Sequence, residues 1–200
     1  IDTDSSLIKE SVNDDIVVTY LKTDGIYFTE DNILYYSKVS NRTANEYKKI
    51  DENLSLSIKK MESDMGLVYL VKDGESNTLK IASNGKSNVV STNVYPEYLT
   101  ISESENFLYY IKDYTNNAGK LIIYNGIINS KLADDVNSFI YINDDLMYAT
   151  KNYNEESKTQ DLYRLNGNKL NLVYKGVSKW YNPVEKNNEG EPELSKEIEE

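Results

Sequence analysis

Four stretches of the chain spell nearly the same text at intervals of about 40 residues: GIYFTED (25–31), LVYLVKD (67–73), FLYYIKD (107–113) and LMYATKN (146–152). Each reads apolar residue, Tyr, two variable positions, Glu or Lys, then Asp or Asn. The aligned tyrosines are Tyr27, Tyr69, Tyr109 and Tyr148, at spacings of 42, 40 and 39 residues. Such a repeat constrains the fold more than any other feature, because every copy has to be the same supersecondary unit.

The flanks repeat as well. A turn signal precedes each stretch (KTDG, ESDMG, SESEN, NDD), and an apolar run precedes each turn: IVVTYL, LSIKKM, YLTIS, FIYIN. A third run follows (ILYYSKV, TLKIA, KLIIY, DLYRL), then a fourth (EYKKI, SNVVS, SKLADDV, NLVYKGV). In the last three units the third and fourth runs together fill 17 residues each time, at 78–94, 120–136 and 161–177. Each unit therefore reads as four short strands in an up-and-down meander. The second strand is apolar at consecutive positions, as in Leu67-Val68-Tyr69-Leu70-Val71. A sheet wetted on one face would alternate, so both faces must be covered. No apolar period of 3.6 residues runs through the units, which excludes helical solenoids.

Four-stranded units at this period, each covered on both faces by its neighbours, are the pattern of a β-propeller. We expect an all-β chain with about four blades of four antiparallel strands, near 16–50, 56–94, 98–136 and 139–177. A β-sandwich would explain the strands but not their common spacing. LIKESV (7–12) matches the fourth strand of a preceding blade, and SKWYN (178–182) the first strand of a following one. The ring would thus close at four or belong to a larger one. Domain 1–182 would then be followed by an acidic tail or linker at 183–200, which holds seven Glu and two Lys.

Composition narrows the chemistry. The net charge is −11, and no Lys/Arg cluster is present, so nucleic acid and anionic lipid are not expected partners. There is no Cys and no His. Disulfides, thiolate nucleophiles, Cys/His metal sites and imidazole bases are excluded; no metal or cofactor is expected. No apolar run approaches the ~18–20 residues of a membrane helix, so the chain itself is not expected to insert. It opens with Ile1, which reads as a piece cut from a longer protein with a possible upstream signal or anchor. The 18 tyrosines against 3 Phe and 1 Trp favour strands with half-wet ends.

The turn and second strand in SESENFLYYIKD resemble the Ser-Pro-Asp-Gly turn, apolar pair and Tyr of TolB-like propellers. They are also similar to uncharacterised propeller repeats in envelope proteins of low-GC Gram-positive bacteria. The similarity spans roughly 16–177, but the turn lacks the family's Pro and strand one lacks its frequent Trp. The resemblance implies a non-enzymatic binding platform at the cell surface or outside the cell. It carries over no binding residue.

The residues themselves offer few sites. The tyrosine column reads as packing between sheets. Glu30, Lys72, Lys112 and Lys151 read as solvated strand ends. Asp14–Asp15, Glu103/Glu105, Asp134–Asp135 and Asp144–Asp145 sit in equivalent turns, where Asp is an expected residue. A glycan hydrolase built on such carboxylates is the enzymatic alternative, and it needs two of them facing across a cleft. An extracellular sensory domain is the other alternative. Calcium binding at Asp2–Asp4 lacks the required pattern, with Leu7 sixth and Asn13 twelfth. Gly85, Gly126 and Gly167 follow Asn as hairpin signals between strands three and four. Tyr114 and Tyr153 lie in matching segments after strand two, with Trp180–Tyr181 as further aromatics. We expect Tyr114, Tyr153, Asn116 and Asn154 on exposed loops to contact a protein or glycan partner.

Overall fold

In the computed structural model the described residues are 17–22, 25–40, 43–59 and 65–178, with side chains at 25–38, 47–54 and 65–178. The expectations placed on LIKESV, Asp2–Asp4, Asp14–Asp15, Trp180–Tyr181 and the tail at 183–200 lie outside them.

Unit one is β1 (Val17–Lys22), β2 (Gly25–Glu30), β3 (Ile33–Ser40) and β4 (Thr43–Asp51). Unit two is β5 (Leu54–Lys59), β6 (Leu67–Asp73), β7 (Ser76–Ser83) and β8 (Lys86–Ser91). Then come β9 (Val94–Ile101), β10 (Leu108–Thr115), β11 (Ala118–Tyr124), β12 (Asn129–Asn143), β13 (Leu146–Asn154), β14 (Thr159–Asn166) and β15 (Lys169–Val177). All pairing is antiparallel between sequence neighbours. The described residues are therefore all-β, as the repeat requires. The sheets differ from four equal blades: they hold 4, 4 and 7 strands, and none closes on itself.

The reason lies in β12. Its first half pairs with β11 and its second half with β13, and Val136 alone pairs with both. The fourth strand of unit three thus runs unbroken into the first strand of unit four. Register shifts around Ala133–Ser138, with Asp135 at φ 57°, bend it between the two. Where a turn separated these strands elsewhere, here a bulge does the same work.

Units stack face to face. Leu67, Tyr69 and Val71 of β6 pack with Tyr27, Leu34 and Tyr36 of unit one. Val68 and Leu70, alternating with them, pack with Leu108, Tyr110 and Ile122 of unit three. Tyr109 and Ile111 of β10 point the other way, onto Phe139, Met147 and Ala149 of unit four. Consecutive apolar residues therefore serve two different interfaces.

The tyrosine column stands on matching strands but not on one face. Tyr27 and Tyr109 face the following unit, whereas Tyr69 faces the preceding one. Unit two is one residue out of phase. Phe28, Tyr69, Tyr110 and Ala149 restore the stacking order at spacings of 41, 41 and 39 residues. The run Leu67–Val71 is apolar throughout, so either phase buries apolar groups on both faces.

Polar ties also hold units one and two together. Asp51 Oδ2 at the end of β4 accepts from Lys80 Nζ at 2.7 Å and Tyr69 OH at 2.9 Å. Burial and the neighbouring Asp51 charge push the Tyr69 hydroxyl well above its usual range, although a hydrogen bond to Ser87 opposes them. Gly85 N donates to Tyr27 OH at 2.7 Å. Gly85 has φ +66°, and a Cβ there would come within 2.6 Å of the Tyr36 ring, so this contact needs glycine.

Leu67→Ala and Leu70→Ala should each cost about 2–5 kcal/mol in a denaturant titration, because both faces of β6 are core. A sheet wetted on one side would tolerate one of the two with little loss.

Candidate functional site

A cleft of about 580 Å³ opens where units three and four meet. It lies at the end of the stack that carries the turns between first and second strands. Tyr109 and Tyr141 stand in its wall with ring centroids 5.6 Å apart and planes 27° from parallel. Met147 and Leu165 add apolar lining, while Asn143, Asp144, Asp145, Arg164, Asn166 and Asn171 make the rim polar.

Local chain geometry builds this rim. The Asn143–Leu146 pair closes a two-residue turn at Asp144 and Asp145, and Asn143 Oδ1 accepts from Asp145 N at 3.0 Å. Tyr141, two residues earlier on β12, donates its hydroxyl to Asp144 Oδ1. The same hydroxyl accepts from Glu103 N at 2.7 Å, and Asp144 Oδ2 accepts from Ser104 N at 3.1 Å. The turn before β10 is thereby tied to the turn before β13 across the unit boundary. The Tyr141 and Ser104 hydrogen bonds hold the Asp144 carboxyl below the usual carboxylate range. Tyr141 is pushed up by burial and by Asp144.

This arrangement suits binding better than proton transfer. Asp144 stays ionised at neutral pH and cannot lend a proton. Among the described residues, the other carboxylate lining the cleft, Asp145, is its neighbour in the same turn. Arg164 is exposed, and its guanidinium has no ion-pair partner among the described residues. Arginine, tyrosine and amide groups around an apolar wall are the usual equipment of a recognition pocket of this size. No group of three metal-ligating side chains occurs among the described residues, and no helix there is long and apolar enough to cross a membrane.

The four residues singled out in the sequence lie at the opposite end of the stack. Tyr114 is not on an exposed loop. β10 continues to Thr115, and only Asn116 and Asn117, both at positive φ, form the turn. Tyr114 is half-buried, stacked on Tyr95 at 4.4 Å, and donates its hydroxyl to the Asn137 carbonyl at 2.9 Å. Tyr153 lies on β13 and is 37% exposed. Asn154 shapes its own hairpin, with Oδ1 accepting from Glu156 N at 3.0 Å and Ser157 N at 2.9 Å. Asn116 is exposed at the turn tip. The four are shared between two separate hairpins. Of the strand-end charges, Lys151 sits 5.8 Å over the Tyr163 ring, and Lys72 is exposed.

The sequence did not mark Tyr141, Arg164 or Asn171 for this cleft. Arg164 carried a faint signal, as one of only two arginines beside twenty lysines.

Asp144→Asn should lower the melting temperature slightly at pH 7, by less than about 1 kcal/mol for so exposed a group. A carboxylate with a depressed folded pKa stabilises above its unfolded value near 3.9 and loses that contribution as pH falls through the folded one. The gap between mutant and parent should therefore close below about pH 3 in a thermal scan across pH.

No protein-family model matches the chain, and no curated protein matches it either. Among solved structures it is similar to a tricorn protease at 14% identity and a TM-score of 0.47, over 82% of this chain and 18% of that one. It is also similar to a nidogen/laminin complex at 9% identity and a TM-score of 0.38, over 76% of this chain and 63% of that one. The chain thus spans less than two thirds of either, and likenesses this distant carry nothing about chemistry.

Proposed function

We propose that the chain is a propeller-type binding platform, without catalytic activity, that holds a glycan in the cleft between units three and four. Rigid stacked meanders fix the turns, and the turns make the contacts. The observation carrying this reading is the cleft itself: a tyrosine wall for the flat face of a sugar ring, with amides and one arginine around it for hydroxyl groups. Face-to-face stacking and the 40-residue period favour a ring of blades over a sandwich. The resemblance to envelope repeats favours a cell-surface or secreted setting.

The hydrolase reading has less support. It needs two carboxylates on opposite sides of a bond, about 5–10 Å apart. The cleft offers two neighbours in one turn.

Screening the chain on an oligosaccharide array, followed by titration of the best ligand, tests the proposal. Arg164→Gln with Asn171→Ala should weaken that ligand by about tenfold or more while leaving the melting temperature unchanged, since both side chains are exposed. Normal affinity in the double variant would remove the cleft from consideration.

A further inference from the structure

We propose that Tyr95, Tyr98 and Tyr114, with the Glu97 carboxylate beside them, form a second binding site, for an organic cation of the alkylated ammonium class. The site is distinct from the cleft and lies at the other end of unit three.

The inference starts from an irregular ladder. On β9, Leu99 pairs with Tyr110 and Val94 with Lys112, so residues 95–98 stand opposite the single residue Ile111. Pro96 at the centre has no N–H to give to the ladder. Bulges of this kind re-aim side chains and concentrate beside functional sites. Here the bulge delivers Tyr95 and Tyr98 onto Tyr114 of the neighbouring strand. The ring centroids are 4.4 Å apart for Tyr95–Tyr114, 5.6 Å for Tyr95–Tyr98 and 5.6 Å for Tyr98–Tyr114.

Core packing accounts for only part of this. Tyr98 and Tyr114 lean on the buried cluster between units three and four, but Tyr95 does not belong to it. All three tyrosines are half-buried rather than enclosed. Tyr95, outside that core and half-buried, adds accessible aromatic surface.

Charge selects the ligand. Aromatic faces attract cations within about 6 Å of the ring centroid. Glu97 is exposed in the same bulge and has no ion-pair partner among the described residues. Burial is the chief cause that raises the Tyr98 and Tyr114 hydroxyls, and the Glu97 charge adds a lesser push to each, behind the contact between the two hydroxyls. Of the two lysines in the β10–β11 hairpin, Lys120 is held by Asp113 at 2.9 Å, and Lys112 pairs across the ladder with Val94. The net charge of −11 draws cations toward the whole molecule. An alkylated ammonium is weakly hydrated and gives up its water readily to a ring face.

The test is a titration of the full chain with choline chloride at constant ionic strength, read by NMR shifts of the tyrosine ring protons. Choline should saturate, whereas the neutral isostere 3,3-dimethylbutan-1-ol should not. N-acetyl-lysine methylamide, a primary ammonium, should bind more weakly than choline. Tyr95→Ala should weaken choline by about two- to five-fold, the worth of one exposed ring. Tyr95→Phe should restore most of the affinity, and Glu97→Gln should weaken it without shifting the melting temperature. Equal binding of the neutral isostere, absence of saturation, or indifference to both Tyr95→Ala and Glu97→Gln would overturn the proposal. Should Tyr95→Ala fail to fold, Glu97→Gln and the isostere decide it alone.

Discussion

The central strands of this chain have no wet face, and the rest of the structure follows from that. Leu67 to Val71 and Leu108 to Ile111 are buried residue after residue. A strand with such a sequence is stable only between two other sheets. Each unit therefore requires a neighbour on either side, and the neighbours carry the same requirement onward. Three apolar clusters result: one between units one and two, one between two and three, one between three and four. What is left for contact with anything else is the perimeter: turns, strand ends and the places where a ladder breaks.

Those perimeter features are where polar chemistry gathers. At one end of units three and four, Tyr141 and Asp144 tie two turns together and frame the cleft. At the other end, a bulge in β9 exposes part of a tyrosine cluster. Both are departures from the repeat. Tyr141 lies on the strand shared by two units, and Tyr95 beside a proline that no other first strand carries.

This explains how far the sequence could be read. The repeat, the four-strand unit and the double-sided burial were legible because they recur, and recurrence cancels local noise. The phase of unit two was not legible. Leu67–Val71 is apolar at every position, so it names no face, and aligning Tyr69 with Tyr109 put the two on opposite sides. The merging of units three and four was hidden as well. Asp134–Asp135 looks like a turn, yet it forms a bend within one strand. The site residues suffered from a related error. Tyr114 follows a Lys-Asp pair that ends the strand in unit two, but in unit three the strand runs on to Thr115, and the supposed loop residue became packing. The cleft depends on residues from β10, β12, β13, β14 and β15 meeting in space, which no spacing along the chain reveals.

The continuous strand β12 has a mechanical corollary. Units one and two join through the short link at Glu52–Asn53, and units two and three through Thr92–Asn93. A pull along the chain meets a joint at each of those places, where one sheet can swing or detach while the next stays whole. Between units three and four the link is a bulge within one strand rather than a break between two. Fifteen residues of one strand carry the load from the first ladder directly into the second, so tension there shears two ladders together rather than peeling one. A pull along the chain would then move the seven-stranded sheet as one segment.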